Sequence, residues 1–371
     1  MAIKKKNKHQ NANELYNPFD AMSFTYDKCF LCGHEFGKKK TYEHVFPKWL
    51  QQTFNLTNQE IHLLNRTTIP YRKLTIPCCQ LCNTKYLAKV EDTVKQYYQK
   101  GFSEFKKINR LLVFQWIAKI FYGLLFKELS LHIERSDPTQ GFITDPELLN
   151  ELRTLHVFLQ SVRKPFEFSV SNPWSIFIVE TRTYGDERDF DYHDEIFSLV
   201  FSIRMGAIGI IACLEDNGAQ EELFSDYFEK FKGIKLHPIQ FDELVAKVVY
   251  KRRLMNRVPK YVMIVPPNEE DKIMVAAMPL QGFSASPIFD EWKQRDYAAY
   301  LAFHWSKYGL RFEDIFKEPD MVLSYLFNED GTVKVLDADG NLIKPDRSQK
   351  GVTRRRHEGG RVGKRRTRGV G

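Results

Sequence analysis

Four of the six cysteines stand in two Cys-x-x-Cys pairs, Cys29-Phe-Leu-Cys32 and Cys79-Gln-Leu-Cys82, with 46 residues between them. Each pair can present two thiolates from one tight turn, and two such turns can close a tetrahedral cation site. That closure ties residues 23–98 into one unit. Four thiolates fill the coordination sphere, so the expected ion is a structural Zn²⁺. Its binding free energy would hold a segment too small for a core of its own. Cys78 lacks the x-x spacing to Cys82 and reads as a buried or spare thiol. Metal is expected rather than disulfides, because Lys4 to Asp20 contains no apolar stretch of the kind a secretion leader requires. The expected location is cytoplasmic.

The charge is distributed unevenly. The chain has 371 residues and a formal charge of +8. Lys4, Lys5, Lys6 and Lys8 contribute +4. From Gly351 onward, eight lysines and arginines against Glu358 contribute +7, so the body between the ends is near −3. Both ends read as basic disordered tails, 1–22 and 346–371, suited to phosphate backbones through counterion release. A solubilising role is the plainer reading of the same tails.

The stretch "LLVFQWIAKIFYGLLF", 111–126, is the most apolar. Gln115 and Lys119 interrupt it, and it is shorter than the roughly 20 residues a bilayer needs, so a buried helix and no membrane are expected. After the second pair, Tyr86, Leu87, Val90, Val94 and Tyr97 fall on one helical face. Residues 99–170 read as a helical segment. Its later helix is expected to have Asp145 as N-cap and Pro146 at its first position.

From 171 to 345 the pattern becomes α+β. "WSIFIVETRTY" and "IFSLVFSIRMGAIGIIACL" read as two or three antiparallel strands, with Gly206 and Gly209 allowing a turn or bulge. The acidic "GDERDFDYHDE" between them reads as a solvated hairpin loop, with cation binding as the sharper alternative. "FDELVAKVVYKRRLMNR" reads as a helix carrying Asp242 and Glu243 in its first turn and Arg252, Arg253 and Arg257 near its end, as the helix dipole favours. "YVMIVPP" reads as a strand and 287–305 as a helix in which His304 belongs to the core. A protein partner docking on this half is a further expectation.

Between the cysteine pairs lies "EHVFP", Glu43 to Pro47, and directly after the second pair Asn83 opens a helix. In this order the residues resemble the HNH endonuclease family with its ββα-metal fold, over about residues 26–95. The resemblance implies an α+β chain whose N-terminal zinc-stabilised ββα-metal module, 23–98, precedes the helical segment and the mixed sheet/helix region. It implies a metal-dependent nuclease acting on nucleic acid, DNA ahead of RNA. His44 would be the general base, because a neutral imidazole can accept a proton from water near pH 7. Glu43 and Asn83 would be ligands or supports of a hard divalent cation, Mg²⁺ or Mn²⁺, distinct from the zinc.

The sequence departs from the family's pattern once. The family's middle Asn has no counterpart in "YRKLTIPCC", Asn65 lies too early, and Thr75 or a backbone carbonyl would stand in for it. Lys85 could reach a phosphate or be a solvent lysine. Glu91 could add a carboxylate to the site, although a surface glutamate is the plainer reading. HNH modules joined to other domains resemble effectors of bacterial antiphage and mobile-element systems. The alternative function is a catalytically inactive, zinc-stabilised nucleic-acid-binding module, and a third is a zinc-stabilised partner-binding protein.

Overall fold

The computed structural model describes residues 15–20, 24–37, 40–132, 137, 139, 146–169, 171–268, 270–328 and 330–336. The chain is α+β. Strand β1 (Thr41–His44) leads through Pro47 into α1 (Lys48–Thr53). A small hairpin follows, β2 (Glu60–His62) with β3 (Thr68–Pro70), before β4 (Thr75–Cys78) returns antiparallel to β1. The chain then enters a wide, π-helical stretch, Cys82–Leu87, that continues as α2 (Ala88–Gln99). The expected amphipathic face is present: Leu87, Val90 and Val94 are buried, and Tyr86 and Tyr97 pack beside them.

After the short α3 (Phe102–Phe105), α4 (Arg110–Leu129) is the molecule's central rod. Asn109 caps it, its side chain accepting from Leu111 N–H and Leu112 N–H. The helix is apolar nearly all round and buried on every side, which is why the sequence resembles a membrane span without being one. Among the described residues no helix is long and apolar enough to cross a membrane. One flank of α4 carries Trp116 against Trp49, rings 6.3 Å apart. Another carries Phe114 stacked on Trp174 at 4.2 Å and Phe121 edge-on to Phe201 at 6.3 Å. The core therefore continues across the boundaries drawn at 98/99 and 170/171. It also extends below residue 23: Phe19 is buried against Phe24 and Tyr122, so residues 15–20 are packed where a tail was expected. The other tail residues, like Asp145, lie outside the described residues. Helix α5 (Pro146–Leu159) does begin at Pro146.

The second half holds β5 (Phe166–Ser169), then β6 (Ser175–Glu180), β7 (Phe190–Glu195), β8 (Val200–Met205) and β9 (Ile208–Cys213). The last four form one antiparallel sheet in the order β6-β9-β8-β7. The expected solvated loop is thus partly wrong, since 190–195 is a sheet strand with His193, Asp194 and Glu195 buried. Gly206 makes the β8–β9 turn at φ +56°. Gly209 instead lies mid-strand under the Phe241 ring, where a Cβ would collide.

Helices α6 (Ala219–Glu229) and α7 (Pro238–Arg253) follow, the second covering the sheet. Asp242 and Glu243 do not sit in the first turn of α7, which begins at Pro238 behind a His237 cap; both are buried anchors. Asp242 takes Lys307 Nζ at 2.8 Å and Tyr308 O–H at 2.5 Å, while Glu243 accepts Ser324 O–H at 2.6 Å and Tyr325 N–H at 2.7 Å. Strands β10 (Tyr261–Ile264) and β11 (Ile273–Ala277) join β5 in a second sheet. The last long helix, α8 (Gln294–Trp305), starts later than the sequence suggests and buries His304.

Candidate functional site

The two cysteine turns meet. The ligating atoms of Cys29, Cys32, Cys79 and Cys82 all lie within 4.8 Å of one another, and Cys32 Sγ is 3.7 Å from Cys79 Sγ. A tetrahedron with metal–sulfur bonds of ~2.3 Å has sulfur–sulfur edges of about 3.8 Å, so the four could hold a metal ion. Local hydrogen bonds shape the turns. Gly33 N–H donates to Cys29 O at 2.9 Å and Cys29 N–H to His34 O at 2.9 Å, while Asn83 N–H donates to Cys79 O at 3.0 Å. Gly33 has φ +70° and lies under the Tyr16 ring, so any side chain there would be both strained and blocked.

Phe30 N–H donates to Pro77 O at 2.9 Å, tying the first turn to β4. His156 of α5 reaches Phe30 O with Nε2 at 2.8 Å, and burial pushes its pKa down to about 4. A thiolate on Cys29 is stabilised by the neighbouring thiols, Cys32 first, and it pushes Cys32, Cys78 and Cys82 upward. Four thiolates together call for a cation. Cys78 is buried outside the quartet, its Sγ against Cys79 O at 3.6 Å.

The antiparallel pairing of β1 and β4 sets Glu43 opposite Ile76 and His44 opposite Thr75. Strand alternation sends Glu43 inward, and it is 6% exposed. There Lys119 of α4, itself 1% exposed, meets it. Lys119 Nζ donates to Glu43 Oε1 at 2.9 Å, His44 O at 2.9 Å and Val45 O at 3.1 Å, and lies 2.5 Å from Glu91 Oε1 on α2. A lysine in an apolar helix survives only with such partners. The flanking carboxylates hold the Lys119 pKa above its ordinary value against burial. Burial, joined by the Glu43 charge, pushes Glu91 up to about 7. Glu91 is therefore not a surface glutamate: it closes this buried cluster from the helix side.

His44 is half-buried, and among the described residues its imidazole has no hydrogen-bond partner. Desolvation first, then the Lys48 charge, lowers its pKa, which keeps the ring neutral at pH 7. Asn83 Nδ2 donates to Tyr42 O at 3.0 Å, fastening the start of the helix to β1. Lys85 is exposed, its ammonium 5.5 Å from the Tyr86 ring centre. Thus Asn83 is fastened to β1 at Tyr42, two residues before His44, while the Glu43 carboxylate points to the other face of the strand, toward Lys119. Among the described residues the cysteines are the one group of three or more His, Cys, Asp or Glu side chains close enough to share an ion. The residue that sequence reasoning missed is Lys119. Its only trace was a lone cation in an otherwise apolar run, which has to find buried anions.

In the second half, Arg252 and Arg253 each hold a group of the sheet side. Arg253 binds Glu195 at 2.7 Å and Arg252 donates to Glu215 O at 3.0 Å. No family model, curated protein or solved structure matches the chain.

Proposed function

We propose that the chain is a metal-dependent HNH-type endonuclease that hydrolyses phosphodiester bonds, with the four cysteines holding a structural Zn²⁺. The carrying observation is the joint placement of His44 and Asn83. His44 ends one strand, the antiparallel strand runs into the second cysteine turn, and the helix opening there is bonded back to the first strand through Asn83. This order of strand, strand and helix around a cysteine quartet is the arrangement the HNH resemblance implies.

In this reading the neutral His44 imidazole takes the proton from the attacking water. Thr75, directly across the ladder, would orient it in place of the absent Asn. Asn83 would be the ligand of a hard divalent cation, Mg²⁺ or Mn²⁺, which when bound would neutralise charge on the phosphate and the departing oxygen. Glu43 serves as a support: held by Lys119, it fixes the end of β1 from the inside. Lys85 and the basic ends would supply phosphate contacts. The test is cleavage of DNA and RNA with Mg²⁺ or Mn²⁺, comparing wild type with His44→Ala. Equal background in the two would end the catalytic assignment of His44.

A second reading is favoured by two observations: the Glu43 carboxylate is engaged by Lys119, and a threonine rather than an asparagine pairs with His44 across the ladder. It is a zinc-stabilised nucleic-acid-binding module without catalysis. It predicts salt-sensitive binding that survives His44→Ala and no cleavage with any metal.

A further inference from the structure

Strand β10 is the edge of the sheet β10-β11-β5, and among the described residues nothing pairs with its outer side. Its side chains are apolar and exposed: Val262, Met263, Ile264 (61% exposed) and Val265, with Met274 of β11 beside them. Long apolar edges invite strand addition, and proteins that leave them open normally guard them with charge or proline.

Here prolines delimit the edge rather than abolish it. Met278 N–H donates to Lys260 O at 2.8 Å, so residues 260, 262 and 264 spend their backbone groups on β11. By antiparallel alternation, 261, 263 and 265 turn theirs outward. Pro259 and Pro267, which have no N–H to give, fall on that outward set on either side. The open ladder is therefore the segment 261–265.

That segment is complementary to itself. An antiparallel pairing centred on Met263 sets Tyr261 against Val265 of a second copy and Val262 against Ile264, and Met263 against its own equivalent. Basic Arg257 and Lys260 precede the strand, and acidic Glu270 and Asp271 follow it. The same two-fold brings the basic end of one copy beside the acidic end of the other. Lys260, Glu270 and Asp271 have no ion-pair partner among the described residues, so these charges remain to be used. The chain's own basic ends lack an alternating apolar pattern that would fit this edge.

We infer that β10 is a symmetric interface through which two copies of this chain join their three-stranded sheets into one continuous sheet. Two-fold pairing closes on itself, so assembly stops at the dimer. The inference is independent of the nuclease reading.

The test is sedimentation velocity of the full-length 43.7 kDa chain at micromolar concentration, for wild type, Met263→Lys and Ile264→Lys. The expected result is a wild-type dimer and loss of the dimer in both variants, with circular dichroism and metal content unchanged. A monomeric wild type, an open-ended oligomer, or a dimer that both lysine variants retain overturns the proposal. Should the lysine variants misfold, Met263→Cys treated with a short bismaleimide decides. Covalent dimer from Met263→Cys but not from Met321→Cys, an exposed position outside this sheet, supports the interface, and no covalent dimer from Met263→Cys overturns it.

Discussion

Replacing Lys119 by Met would leave the Glu43 carboxylate and the His44 and Val45 carbonyls facing apolar side chains with no donor. The expected loss is about 3–5 kcal/mol of unfolding free energy, read as a fall in the urea midpoint. Adding Glu43→Gln to Lys119→Met should return part of it, because the two changes share one contact. His44→Ala behaves differently. The His44 imidazole is half-buried and bonds to nothing described, and an alanine keeps the backbone carbonyl that Lys119 holds, so the variant should keep its fold and metal while cleavage falls about 10²- to 10⁴-fold. At this scale the cysteine quartet was legible in the sequence, because turns and Cys-x-x-Cys spacing are local properties. The Lys119 cluster was not legible. Its partners lie 76 and 28 positions away, and nothing near Glu91 distinguishes it from a solvent carboxylate.

At the scale of elements, strand and helix periodicity was readable wherever one face is apolar. It failed at β7, where Asp191, His193 and Glu195 alternate as though facing water. Asp191 and Glu195 face cationic side chains of α7 and the segment after α8, Asp191 on Lys307 at 2.5 Å and Glu195 on Arg253 at 2.7 Å, while His193 packs against the His304 ring of α8 at 4.6 Å. Gly209→Ala forces a methyl into the Phe241 ring between β9 and α7, and should cost about 1–3 kcal/mol in a denaturant titration.

The α5 contact makes a pH prediction. Burial lowers the His156 pKa from 6.5 to about 4. The unfolded chain therefore binds the extra proton first as pH falls. The contribution is present above pH 6.5 and is lost progressively between pH 6.5 and pH 4, on the order of 3 kcal/mol in all. Stability curves of wild type and His156→Gln should converge over that window. A constant offset between them would contradict the assignment.

At the scale of the molecule, α4 is shared between the cysteine-bearing segment and the four-stranded sheet, so the parts that composition separates are joined through one core. Sequence patterning shows where character changes but not that one helix serves both sides. Cys79→Ser should lower bound zinc to background and shift the thermal midpoint of the whole chain downward in one transition, followed by near-ultraviolet circular dichroism. Two separated transitions would mean the segment folds apart from the rest.

The central claim is that His44 performs phosphodiester chemistry beside a structural zinc. Its most direct measurement is cleavage of a panel of single- and double-stranded DNA and RNA, with Mg²⁺ or Mn²⁺ and zinc content determined on the same samples. The account predicts one zinc per chain in wild type and in His44→Ala, and metal-dependent cleavage in wild type alone. Zinc-loaded, folded wild type that cleaves nothing with either metal, or His44→Ala that cleaves as well as wild type, would contradict it.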